Sequence, residues 1–293
     1  MNLFAECVLF VVGLAFGSFL NVCISRIPRD ESIVRPGSHC RTCQHPIRWR
    51  HNLPVLGWLL LRGRCAHCRA PISLRYPVVE LLTGVLFVAC YVDFGPRWLT
   101  LKMCLFCFLL IGLIFMDAET GLLVREFTYP GIALGLGLSW FIPNDDSGVQ
   151  FLLRLFEKTV SNPRLLSLLD ALAGALLGAG FFYLAWAVYY LIRRTHGMGF
   201  GDIALMAMSG AFLGLKLAIL VLFFAPLLAA VWGVVWVLGA PSAASGDKAE
   251  DSSPVDESAL NRELPFGVFL GGCSLLAIFF GEAVWRWYLG LFR

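Results

Sequence analysis

Charge is what this 293-residue sequence has least of. Asp, Glu, Lys and Arg make up 15% of it and hydrophobic residues 58%, against about 25% and about 45–50% in soluble domains. That shortage excludes a soluble globular protein. A formal net charge of +3 gives no sign of a nucleic-acid binder. The start of the chain also lacks something: residues 1–6 carry no basic residue, and no A-x-A site interrupts the apolar run to Ile24. The first 25 residues are therefore expected to be a retained span, not a cleaved signal peptide. No internal repeat is visible.

Long apolar runs are what the chain has instead, over 3–24, 78–92, 98–116, 127–142, 169–192, 203–238 and 266–292. One crossing takes about 20 residues, so 203–238 is too long for a single span, and Gly214-Leu215-Lys216 offers a polar break. The fold expected is an all-α polytopic membrane protein with about eight transmembrane helices and one small polar loop domain between the first two. The organisation reads as a first transmembrane helix over 1–25, a loop over 26–76, and a transmembrane core over 77–293 interrupted by a flexible linker at about 240–262, rich in Ala, Ser, Asp and Glu. Between Arg26 and Arg75 stand ten Arg and no Lys, with Asp30 and Glu31 as the only acids. Loops of that kind stay cytoplasmic, which places the N-terminus outside and the connections at 117–126, 193–202 and 239–265 on the cytoplasmic side. The same arginines are expected to meet anionic lipid headgroups.

Six of the ten cysteines lie in apolar runs, where Cys is a small hydrophobe. The other four form Cys40-Arg-Thr-Cys43 and Cys65-Ala-His-Cys68, with 21 residues between the pairs. Two such knuckles supply the four thiolates of a tetrahedral zinc site. The alternative is a pair of disulfides or redox couples, which a reducing cytoplasm disfavours. His39, His45 and His67 flank the knuckles as substitute ligands. A loop this poor in apolar residues needs a staple, and a closed four-thiolate site keeps no open position for chemistry, so the expected role is structural.

Ionisable groups at the ends of spans are functional candidates by default. Asp117 directly follows the 98–116 run, and Asp202 closes Gly197-Met-Gly199-Phe-Gly201-Asp202 just before the run that begins at Ile203. Both fall at one membrane face. Two carboxylates that approach each other share a proton, so one can activate water while the other polarises a carbonyl. Gly197, Gly199 and Gly201 leave room for a substrate strand beside Asp202. Singly, Asp202 reads equally well as a helix cap and Asp117 as a span terminus. Asp170 reads as a helix N-terminal carboxylate, and Glu80, one turn into the second span, as a supporting group. A non-enzymatic assembly factor docking a partner through the zinc loop, and a proton-coupled transporter, account for parts of the same pattern.

Gly17-Ser-Phe-Leu-Asn21-Val, the two knuckles, Asn52-Leu-Pro54, Arg75-Tyr-Pro77 with Glu80, Asp117, the 197–202 run and Pro265-Phe-Gly267 occur in the order found in bacterial type IV prepilin peptidases, which the chain resembles over nearly its whole length. The resemblance implies an inner-membrane aspartic endopeptidase that removes the leader of type IV prepilins or type II secretion pseudopilins on the cytoplasmic side, with Asp117 and Asp202 as the catalytic pair. It also implies an N-methyltransferase activity using S-adenosylmethionine, associated with the cysteine-bearing loop. The chain departs from the family at Val124-Arg-Glu126, where an Ile/Leu-Pro-Asp/Asn stretch is common, and at Ala204, where Lys is frequent.

Overall fold

The computed structural model describes residues 2–144, 147–155, 160–194, 199–239 and 265–291. Gly197 and the expected linker at 240–262 lie outside the described residues. The described chain is helical, with no β-strand: α1 (Leu3–Arg26), α2 (Leu56–Leu60), α3 (Arg75–Phe94), α4 (Trp98–Thr120), α5 (Arg125–Phe141), α6 (Gly148–Leu155), α7 (Pro163–Arg193), α8 (Phe200–Gly239) and α9 (Phe266–Gly290). Apolar runs become helices here because lipid offers the backbone no hydrogen-bond partners, so each segment must satisfy its own.

Two groups of helices meet along α4. On one side α1 packs against α3; on the other, α8 packs against α7, α9 and α5; α4 touches α1 and α3 as well as α9. Fourteen of the 23 residues of α4 are buried, which makes it the shared wall of both groups. The stacked rings of Phe106 and Phe212, with centroids 4.6 Å apart, join α4 to α8 in the middle of the core.

Among the described residues, six helices are long and apolar enough to cross a membrane: α1, α3, α4, α7, α8 and α9. The chain is thus a multi-pass membrane protein. The expected count of about eight also takes in two segments that these six do not count separately. The run at 127–142 is a helix of only 17 residues, α5. The run at 203–238 lies in the 40-residue α8, which continues through a single non-helical residue, Gly214, at φ 78 and ψ 179. An unbroken helix of that length would extend about 60 Å, twice the apolar thickness of about 30 Å. The break at Gly214 divides it where the sequence had offered a polar interruption.

A buried polar cluster surrounds that break. Lys102, 1% exposed, donates to Ser139 Oγ (3.0 Å), Asn144 Oδ1 (2.8 Å) and the Ile142 carbonyl (3.3 Å). Asn144 Nδ2 donates in turn to the Phe212 carbonyl just before the break (3.2 Å). Asp170 accepts the Val149 N–H (2.9 Å) and lies against Gly214, where a Cβ would collide with its Oδ2. Asp170 was expected to open a helix. Instead α7 begins at Pro163, capped by Asn162, which accepts the Arg164 and Leu165 N–H groups, and Asp170 stands two turns inside.

Only glycine readily adopts the backbone of residue 214; other residues pay about 1–3 kcal/mol there. Gly214→Ala is therefore expected to lower the thermal unfolding midpoint in detergent, whereas Gly137→Ala, where a Cβ meets nothing within 4 Å, leaves it unchanged or raises it. Equal midpoints for the two variants would remove the break from the fold's requirements.

Candidate active site

Three helix ends converge on the acids singled out above. Asp117 lies in the last turn of α4, which stops where Gly121 takes a left-handed conformation (φ 65) and its N–H bonds the Asp117 carbonyl (2.8 Å). The Asp117 side chain is 5% exposed, and its Oδ2 accepts the Val268 N–H (3.0 Å) in the first turn of α9. That docking needs a glycine: a Cβ on Gly267 would stand 2.8 Å from Asp117 Oδ2. Asp202, 9% exposed, occupies the first turn of α8, next to Gly201, which packs on the same Leu123 as Gly267 beside Asp117. Both helix N-termini present their positive ends to the acids. Leu123 fills the corner, meeting the space of a Cβ at Gly201 (2.6 Å) and at Gly267 (3.0 Å).

The glycines before Asp202 divide in their roles. Beside Gly201 the room that a side chain would take is occupied by Leu123. At Gly199 a Cβ would make only ordinary contacts among the described residues, the nearest at 3.8 Å.

The four cysteines come together. Their sulfurs lie within 4.8 Å of one another, with Cys40 and Cys68 at 3.8 Å, matching the spacing of about 3.8 Å that four thiolates take around a tetrahedral ion at about 2.3 Å. The cluster can hold one metal ion. Its two knuckles repeat the same backbone: Gln44 and Arg69 both have positive φ, the Cys40 N–H bonds the His45 carbonyl as Cys65 bonds Ala70, and isolated bridges His39–Pro46 and Arg64–Pro71 close them. This local repeat escaped the sequence because only the cysteines, a proline and the turn geometry carry it. The Cys43 N–H beside Cys40 lowers its thiol to about 6, and backbone N–H groups of Cys68 and His67 lower that of Cys65. Despite the Ala70 N–H, burial and the three neighbouring sulfurs push Cys68 the other way, to about 11, so without an ion the four do not all ionise together.

Between this unit and the ends of α1 and α3 lies a cavity of about 880 Å³. Glu80 lines it. Read from the sequence as a supporting group, it accepts the Val55 N–H through its Oε2 (2.7 Å) and anchors the entry to α2 on α3. Asn21, 2% exposed, donates its Nδ2 to the Tyr76 carbonyl (3.0 Å), and its Oδ1 has no partner among the described residues. Arg75 bonds Glu119 through Nη1 and Ser25 Oγ through Nη2 (2.9 Å), and its Nε likewise has none among them. Buried polar atoms are almost always paired; these two are sealed within the wall and do not open onto the cavity. Sequence reasoning quoted both residues within motifs without singling them out. The signals were present: an amide inside an apolar run, and a cation in the first turn of a helix, where the macrodipole disfavours it.

The arrangement is that of a multi-pass helical protein carrying a pair of buried acids at the meeting point of three helix ends and a four-cysteine unit beside a large cavity. Residues 11–94 match the bacterial peptidase A24 N-terminal domain and residues 104–234 the type IV leader peptidase family. The chain is 33% identical to a prepilin leader peptidase/N-methyltransferase of Aeromonas hydrophila, over 96% of this chain and 92% of that protein. It is 37% identical to one of Neisseria gonorrhoeae, over 77% and 80%, and 40% identical to one of Myxococcus xanthus, over 78% of this chain but 62% of that protein. No solved structure matches it. The chain belongs to the type IV leader peptidase family.

The purified protein is expected to carry about one equivalent of metal per chain, lost when Cys40 and Cys65 are both replaced by Ser. Elemental analysis that finds no metal in the wild-type protein would overturn the cluster as a binding site.

Proposed function

We propose that this protein is an inner-membrane aspartic endopeptidase that removes the leader of type IV prepilins or type II secretion pseudopilins at the cytoplasmic face, and then N-methylates the new N-terminus. Family membership supports the reaction class. The observation that carries the reading is the pair Asp117 and Asp202, 5% and 9% exposed, brought together at the heads of α8 and α9. The arginine-rich 26–76 segment supports a cytoplasmic location for that face.

The pair holds one proton. Its ionised member takes a proton from water as the oxygen attacks the scissile carbonyl, and the protonated member donates to the carbonyl oxygen. Collapse of the tetrahedral intermediate breaks the C–N bond. The departing amine takes the proton first removed from water, and the carboxyl re-forms as the other acid recovers its own. The Val268 N–H holds the Asp117 carboxylate in orientation, and Leu123 packs the corner beside it. A substrate's apolar segment would lie alongside the spans, with its charged leader outside the membrane.

In the 26–76 unit, Cys40, Cys43, Cys65 and Cys68 would bind zinc as a structural ion, holding together a segment with little apolar core. The donor set is all thiolate, which suits zinc and leaves it no open position. The neighbouring cavity of about 880 Å³ is large enough for S-adenosylmethionine, which when bound supplies an electrophilic methyl group. The arginines around it would face anionic headgroups.

Asp117→Asn and Asp202→Asn are each expected to reduce prepilin cleavage in detergent by at least about 10³-fold, the scale lost when a charge-stabilising or proton-transferring group is removed. Unfolding midpoints should stay near the wild-type value. Retained cleavage in either variant would reject the pair. Gly267→Val should reproduce most of the loss by displacing Asp117 without altering either acid; full activity in that variant would show that the docked head of α9 is dispensable.

A further inference from the structure

We propose that the groove between α1, α4 and α5 seats the apolar segment of the substrate, and that Asp30, Glu31 and Glu126 on its rim take the basic residues at the cytoplasmic end of that segment. This rests on the endopeptidase reading above and assigns the binding surface that reading leaves open. The groove measures about 520 Å³, within the usual range of a built binding pocket. Its floor is aromatic. Phe19 of α1, Phe108 of α4 and Phe127 of α5 follow one another along it, with ring centroids 6.5 Å apart from the first to the second and 6.1 Å from the second to the third. Phe127 sits against Gly112, where a Cβ would stand 2.7 Å from its ring. Phe19 is 46% exposed, so the floor lies open along its α1 side. A helix lays its apolar face into such a groove through side chains three and four positions apart.

The rim has the opposite character. Ten arginines stand between Arg26 and Arg75, yet Asp30 and Glu31, the only acids of that stretch, both line this groove, and Glu126 lines it from the first turn of α5. All three are exposed, and none makes an ion pair among the described residues. Three unneutralised carboxylates repel the anionic headgroups that arginines attract, so a lipid is the poorer occupant. They complement a chain with Lys and Arg beside an apolar run, and basic residues at that position are what keep a flanking segment in the cytoplasm. A substrate whose leader stays there has that charge pattern. The rim is also near the chemistry. Glu126 follows Leu123 by three residues, a reach of at most about 11 Å, and Leu123 packs on Gly201 and Gly267 beside the aspartates.

Photocross-linking and cleavage, read in the same sample, test this. The full-length protein with p-benzoylphenylalanine in place of Phe19, in vesicles of phosphatidylethanolamine and phosphatidylglycerol, is irradiated with either of two single-span prepilins. One has Lys and Arg in its leader and the other has Gln at those positions. Position 19 is expected to capture the basic-leader substrate at least fivefold more than the neutral one. The same label in place of Leu176, 71% exposed on α7, should capture neither above background. In Asp30→Asn/Glu31→Gln/Glu126→Gln the preference should fall to about twofold or less, and KM for the basic-leader substrate should rise at least threefold, with the loss falling on KM more than on kcat. Should that variant fail to fold, the comparison of the two leaders on the unaltered rim still decides. Capture of lipid alone, equal capture of the two substrates, equal capture at positions 19 and 176, or full preference in the triple variant would overturn the proposal. Cleavage without capture at position 19 would overturn the groove and leave the endopeptidase reading standing. Capture without cleavage would overturn that reading and keep the groove, and neither would overturn both.

Discussion

Asp117 and Val268 stand 151 positions apart and are joined by one hydrogen bond of 3.0 Å. A carboxylate at the edge of an apolar slab cannot be left without donors, and the head of α9 supplies one through a backbone N–H. Much else serves that contact. Gly121 stops α4 where Asp117 can turn toward α9, Gly267 removes the side chain that would keep the helix away, and Leu123 packs into the corner between the heads of α8 and α9. Asp202 enters the same corner from the first turn of α8.

The level at which Asp202 enters depends on a second polar assembly near the other end of the spans. The 40 residues of α8 exceed one crossing, and their break at Gly214 is held by Asn144 and Asp170, with Lys102 buried behind them. None of these groups is near the Asp pair. They fix the length of the first part of α8, and so the position of its opening turn. Buried polar groups of this kind act through geometry, because each has few alternative partners in an apolar surrounding.

The end of α4 also joins the two candidate sites. Asp117 and Glu119 are two positions apart on one helix, so they project about 200° from each other around its axis. Asp117 faces α9, while Glu119 pairs with Arg75 at the head of α3 and lines the cavity beneath the cysteine unit. The two candidate sites lie back to back on one short piece of helix, separated by its own thickness.

How far the sequence carries the reader depends on the range of the physics involved. Helical spans follow from local composition, since lipid leaves a long apolar run no other backbone solution. The cysteine quartet could be read from spacing alone, and Asp117 and Asp202 from the rarity of acids at span ends. What contacts decide was hidden. Glu80, one turn into an apolar run, reads as a supporting group, but only the fold shows that it bonds the Val55 N–H. Asp170 looks like a cap until α7 is seen to begin two turns earlier, and Gly201 looks like room for substrate until Leu123 occupies it. The orphaned atoms of Asn21 and Arg75 exist only in three dimensions, because a group lacks a partner only with respect to everything folded around it.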